Sequence, residues 1–208
     1  MSSPRIDRKF LEGIFTRMDD ALDADGASTK QTLCVFGASA VLLYGSDTRQ
    51  TQDVDVWRNA SDINDRALAR MAKGAQLDLN PTKLEVDKLY LQIVTDGVVQ
   101  LPLFSKDRNL WAGGKPSETL WTGKNLTIIA PPPAVVAAAK MVRAEPQDIE
   151  DVVFIMAKKG LKIPDIKAAI ATFPGEVRER ASENLVYLQL VLPSDLSGKA
   201  KEKDVPER

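Results

Sequence analysis

Apolar residues at Phe10, Leu11, Ile14, Phe15, Met18 and Leu22 share one face of a helix over about 7–22. A polar loop with Gly26 follows, from Asp23 to Lys30. Thr32-Leu-Cys-Val-Phe36 is a short apolar run that predicts a buried strand ending at Gly37. Ala38–Tyr44 predicts a short apolar helix stopped by Gly45. After a polar stretch from Ser46 to Gln52, Asp53-Val-Asp-Val-Trp57 alternates residue by residue. That is a strand with carboxylates on one face and valines on the other. Ser61 is placed to cap a helix reaching Lys73, with Gly74 as its stop. Strands are predicted at 89–94, 98–104 and 125–130, the first two joined by an Asp96-Gly97 hairpin, and Trp111–Pro116 reads as a loop. Beyond Pro131-Pro-Pro133 the texture changes. Helical patterns run from Pro133 to Ala144, from Pro146 to Lys159 with Gly160 as a stop, from Pro164, and from Glu176 to Leu192.

This order predicts an α/β (α+β) core with a small mixed sheet over 1–130, a helical lobe over 131–192 and a flexible charged tail over 193–208. At 208 residues with 44% hydrophobic content, there is material for a real core. Lys plus Arg is 28 and Asp plus Glu is 29, so the net charge is −1 and no global field exists to hold a polyanion. Histidine is absent, which excludes Ser-His-Asp and Cys-His triads and every His-containing zinc site. The single cysteine, Cys34, sits inside the apolar run and reads as a buried strand residue. No apolar stretch approaches a membrane span and the N-terminal residues carry no apolar signal core, so a cytoplasmic chain without membrane contact is expected. Chemistry must then rest on carboxylates, Lys and Arg, hydroxyls and metal ions.

Asp53 and Asp55, two apart on a strand, project from the same face with Cα atoms roughly 6.6 Å apart. Two like charges side by side call for a cation between them, and Mg²⁺ (or Mn²⁺), held by one or two carboxylates and substrate phosphates, suits them. Asp-x-Asp alone is also what a solvated strand face looks like. The preceding turn shifts the balance. A strand ends at Gly37 and a small-residue helix starts at once, so free N–H groups around Gly37, Ala38 and Ser39, with the Ser39 hydroxyl, suit a phosphate.

The string Gly37, Ala40, Arg49, Thr51, Asp53, Asp55 resembles the nucleotidyltransferase superfamily related to DNA polymerase beta, and more closely its minimal AbiEii-type toxins. The resemblance implies a small mixed-sheet nucleotidyltransferase core with a C-terminal helical lobe. It also implies a nucleoside triphosphate as substrate, an RNA (tRNA) or protein acceptor, and an antitoxin protein as partner. It brings in Lys140, Arg143, Asp148 and Asp151 from the helical lobe. Asp53, Asp55, Lys140 and Asp148 would be catalytic, Asp148 as a base for the acceptor hydroxyl. Gly37, Ala38, Ser39, Arg49, Thr51, Arg143 and Asp151 would bind the nucleotide, with Asp53 and Asp55 as metal ligands. Members of the superfamily commonly carry a third carboxylate on a later strand, for which Asp78, Asp87, Asp96 and Asp107 are on offer here.

Read without the resemblance, Lys140 and Arg143 are either a solvated face or an anion clamp. On the next helix Ile149, Val152, Val153 and Met156 form the expected core stripe, with Asp148 and Asp151 off it, either paired with Lys140 or Arg143 or serving as a base for an acceptor hydroxyl. A catalytically inactive nucleotide-binding or protein-interaction module on the same fold is the alternative function.

Overall fold

The computed structural model describes residues 4–24, 30–95 and 100–192. The Gly26 loop, the Asp96-Gly97 turn and the tail from 193 lie outside the described residues. The first helix, α1 (Arg8–Asp23), begins at Asp7, whose side chain accepts from the Phe10 N–H, and buries Leu11, Ile14, Phe15, Met18 and Leu22. Strand β1 (Gln31–Cys34) leads through Phe36 into α2 (Gly37–Leu43). Strand β2 (Asp53–Trp57) follows, then a single 3₁₀ turn and α3 (Asp65–Gly74). Next come β3 (Asp78–Leu79), β4 (Tyr90–Val94), β5 (Phe104–Ser105), β6 (Leu110–Trp111), β7 (Lys115–Pro116), β8 (Glu118–Thr122) and β9 (Leu126–Ala130). Helices α4 (Pro133–Met141), α5 (Pro146–Lys159), α6 (Ile163–Ile170) and α7 (Gly175–Val191) complete the described chain.

The strands form three small sheets, ordered β1-β9-β8, β2-β4-β3 and β5-β6-β7. Pairing is parallel for β1 with β9, β2 with β4 and β3 with β4, and antiparallel for β8 with β9. A single antiparallel bridge, Val35 to Val56, joins the first sheet to the second. The arrangement is the mixed α/β fold that the sequence predicts.

The strands lie between two apolar clusters. Leu33, Val35, Val54 and Val56 pack with α1 and α3 on one side. Cys34, Phe36, Trp57 and Ala130 pack with α2 and the helices α4 to α7 on the other. Period-two alternation does the sorting, so the face of β2 opposite Val54 and Val56 is the face turned toward the helical lobe.

Several elements differ from expectation. Ser61 does not cap α3. Asn64 does, accepting from the Ala67 N–H, while the buried Ser61 hydroxyl donates to the Trp57 carbonyl and accepts from the Cys34 N–H. Residues 110–116 are a two-stranded turn, β6 to β7, rather than a loop. Of the strand expected over 98–104, the described part is extended into a ladder only at Phe104. Strand β8 carries a register shift between Thr119 and Trp121, which breaks its alternation.

Candidate active site

Asp53 and Asp55 occupy the lobe-facing side of β2, as the alternation requires, and both line a cleft of about 500 Å³. From the strand side the cleft is walled by Phe36, Gly37, Ala38, Arg49 and Thr51, and from the helical side by Val136, Ala139, Lys140, Arg143 and Asp148. The structure thus brings together, in one concave surface, the turn, the carboxylate pair and three of the four helical residues read from the sequence. The fourth, Asp151, sits behind that wall and contacts it through Lys140 and Arg49.

Gly37 adopts φ +60°, a conformation that L side chains rarely tolerate. A Cβ there would lie 2.8 Å from Asp55 Oδ2, so this position must be glycine for a second reason as well. The turn and the carboxylate pair are a single packed unit: the Phe36 N–H donates to the Asp55 carbonyl at 3.1 Å. Ser39 departs from expectation. It is fully buried, does not line the cleft, and its hydroxyl donates to the Asp53 carbonyl at 3.5 Å. It secures the start of α2 to β2 and does not reach a ligand.

Thr51 is buried, and its hydroxyl donates to Asp53 Oδ1 at 2.5 Å, fixing that carboxylate's rotamer. Asp55 has no such donor among the described residues. Burial first, and the neighbouring Asp53 charge second, push its carboxyl up to about 7, against the pull of Lys140, Arg143 and Arg49. Burial and the Asp53 charge together outweigh the three cations of the cleft.

Of the helical pair that spacing allowed to be solvated, Arg143 is exposed and Lys140 is not. Lys140 is 8% exposed, and its Nζ lies 2.6 Å from Asp151 and 3.4 Å from Asp148. Asp148 and Asp151 are 2% and 3% exposed, so the buried stripe of α5 includes both, together with Val152, Ile155 and Met156, while Val153 is only half-buried. The expected stripe is rotated because the two acids find buried cations. Arg143 grips Asp148 with two bonds, Nε to Oδ2 at 2.7 Å and Nη2 to Oδ1 at 3.0 Å. Arg49 places Nε 3.2 Å from Asp151 Oδ2, an ion pair that ties the strand side to the helical lobe. A tight reversal brings α4 and α5 into this register, with Ala144 in the left-handed region at φ +52°.

Burial works to raise the Asp148 carboxyl, but the hydrogen bonds from Arg143 and the charge of Lys140 outweigh it and hold Asp148 below its ordinary value. Both its oxygens are engaged. Such an anion is a poor proton acceptor, which replaces the expected base with an anchor for two cations.

No third carboxylate joins the pair among the described residues. Asp78 is exposed and paired with Lys88, Asp87 and Asp107 are exposed, and Asp96 lies outside the described residues. Opposite Asp55 on β4 stands an amide, Gln92. Among the described residues no group of three or more acids, cysteines or histidines is gathered to hold a metal. Among the cleft residues that sequence reasoning missed are the polar Gln100 and Arg180 and the apolar Val136, Ala139 and Val177.

A family described as nucleotidyltransferase of unknown function (DUF6036) matches over residues 10–189. No curated protein matches the sequence. The crystal structure of an antigenic nucleotidyltransferase-like protein from Paracoccidioides brasiliensis aligns with a TM-score of 0.50 at 14% identity, covering 93% of this chain and 94% of that one. At that identity the likeness is one of fold. No helix among the described residues is long and apolar enough to cross a membrane.

Proposed function

The chain belongs to the DUF6036 nucleotidyltransferase family, and from that premise we propose that it is a metal-dependent enzyme of the AbiEii-like type. It would move a nucleotide from a nucleoside triphosphate to an acceptor hydroxyl on RNA or a protein side chain. Its setting would be a toxin paired with an antitoxin protein in the cytoplasm. The single observation that carries the chemistry is the Asp53–Asp55 pair. Two carboxylates share one strand face in a cleft, and one of them is pushed up to about 7 by burial and by the charge of the other.

That donor set fits Mg²⁺ or Mn²⁺. Two hard oxygen ligands are too few for a closed protein cage, and suit an ion that completes its shell with water and substrate phosphates. Asp53 and Asp55 would hold it, and when bound it supplies charge neutralisation and a lowered pKa for the attacking hydroxyl. In the transfer the acceptor hydroxyl would give up its proton to water, and its oxygen would bond to the α-phosphorus as the bond to the leaving pyrophosphate breaks. Thr51 keeps Asp53 aimed into the cleft. Lys140, Arg143 and Arg49 offset charge on the departing pyrophosphate, held in place by Asp148 and Asp151 so that little reorganisation is needed. The apolar wall of Phe36, Val136 and Ala139 excludes water beside them.

The test is calorimetric titration of nucleoside triphosphates with and without Mg²⁺, alongside label transfer to total RNA and protein. Metal-dependent binding lost in Asp53→Asn supports the site. Equal affinity with and without metal refutes it. A second reading, nucleotide binding without transfer, is favoured by the missing third carboxylate. It predicts metal-dependent binding with no label transferred to any acceptor.

A further inference from the structure

The cations of the cleft are unequal. Lys140 lies between Asp148 and Asp151, Arg49 lies against Asp151, and Arg143 is clamped on Asp148 with Glu145 at 3.5 Å. Three cations are therefore committed to carboxylates of the protein itself. The fourth, Arg180, reaches the cleft from α7 and is exposed. No ion pair engages it among the described residues, although Glu176 stands four residues before it and Glu183 three after. Those are the spacings at which a helical arginine ordinarily finds an acid on its own helix.

The backbone explains where the Arg180 side chain goes. Asn184 donates from Nδ2 to the Met141 and Val142 carbonyls, at 2.9 and 3.2 Å, and so seats α7 on the frayed end of α4. Arg180 lies one turn before Asn184, and Val177 nearly one turn before that, on the same stripe. Both line the cleft. The bond that seats α7 on α4 thus also holds Arg180 on the wall of the cleft that Arg143, Lys140 and the carboxylate pair line.

We propose that Arg180 is a substrate-anion residue of this cleft, its guanidinium contacting the polyphosphate of the bound nucleotide. The proposal rests on the nucleotidyltransferase reading. It names a group which no motif of the sequence points to. A planar guanidinium with no carboxylate of its own donates two hydrogen bonds to a phosphate without first breaking an ion pair. Arg49, Lys140 and Arg143 would each have to share or leave a protein carboxylate to do the same. The division of labour is then clear: paired cations set the potential of the cleft, and the unpaired one grips the ligand.

Arg180→Gln is tested against wild type for binding of a nucleoside triphosphate with Mg²⁺, of the same nucleoside without phosphates, and of inorganic pyrophosphate. Arg178→Gln, an exposed arginine on the same helix that does not line the cleft, is the control. The expected result is a loss of about ten- to a hundredfold in triphosphate affinity for Arg180→Gln. A parallel loss is expected for pyrophosphate, with partial recovery in Arg180→Lys and no change in Arg178→Gln. Arg180 is exposed, so the unfolding midpoint should stay put. If wild type binds triphosphate in a metal-dependent way and Arg180→Gln binds it equally well, the proposal is overturned and the nucleotidyltransferase reading stands. If wild type binds no triphosphate, both fall together. Equal losses in Arg178→Gln and Arg180→Gln also overturn the proposal, since the effect is then one of overall charge.

Discussion

Asp55→Asn should make the metal-free protein more stable, and by an amount that depends on pH. The carboxyl of Asp55 is raised from 3.8 to about 7 by burial and by Asp53. A folded-state value above the unfolded one means that the folded protein prefers the neutral acid. Below pH 4 both states are protonated and Asp55 is without effect. Between about 4 and 7 the unfolded state ionises first, so stability falls as pH rises, and above 7 the penalty is constant. About three pH units at about 1.4 kcal/mol each set an upper bound near 4 kcal/mol, and about 2–4 kcal/mol is expected once the denatured chain's own interactions are allowed for. Asparagine keeps the shape and removes the charge. Urea unfolding of wild type and variant at pH 5 and pH 8, both with chelator, reads the difference directly. At pH 8 the variant should gain the full amount, worth about 4–16 °C in midpoint for a chain of this size. At pH 5 the gain should shrink to a fraction of that. Mg²⁺ at saturating concentration should raise the wild-type midpoint and leave the variant where it was. An Asp55→Asn protein that is no more stable than wild type at pH 8 would refute the claim that this carboxylate is held under electrostatic stress.

Three further outcomes follow from the packing. Gly37→Ala forces a Cβ within 2.8 Å of Asp55 Oδ2 at a positive φ, and should cost about 1–3 kcal/mol in chemical unfolding and disturb metal-dependent binding together. Lys140→Ala removes a buried cation from two buried acids and should cost about 3 kcal/mol, where a solvated lysine would cost under about 0.5; a change within error would show that Lys140 is not buried as described. Ser39→Ala should leave triphosphate affinity within about twofold, because its hydroxyl serves the Asp53 carbonyl; a drop of tenfold or more in titration would return Ser39 to the ligand site.

Local signals in the chain carried most of the helices and the central strand. Asp53–Trp57 declares itself by strict alternation, and α5 by Pro146 at its first turn and Gly160, at φ +66°, at its end. The failures have separate causes. Asp148 and Asp151 read as a polar flank of α5 with pairing to Lys140 or Arg143 as one reading, and what the local sequence does not show is Arg49 reaching Asp151 from the strand side. Ser61 reads as a cap because its true acceptor and donor, Trp57 and Cys34, meet only in the folded sheet. Strand β8 hides behind its own bulge, and β6 and β7 are two residues each, too short for any periodicity. In the site, the motif residues were legible as chemistry, while the burial of Ser39 and Lys140 was not. Arg180 leaves no mark beyond being one more charge on an exposed helix.

The pairing of β1 with β9 has a consequence for how the molecule is made. Gln31 sits opposite Leu126 in that ladder, so the first strand of the sheet waits for almost a hundred residues of later chain before it gains its parallel neighbour. During synthesis, Asp53 and Asp55 leave the ribosome well before Lys140 and Arg143 exist to face them. Until then the acidic strand is a nascent segment with unmatched charge and an unclosed sheet edge, and long-range parallel pairing closes slowly. The cleft therefore assembles late, as the final helices dock, and a chain cut short before α4 would leave the acidic strand without Lys140 and Arg143. A product of that kind, with an unclosed sheet edge and incomplete core, is a natural target for chaperones and proteases.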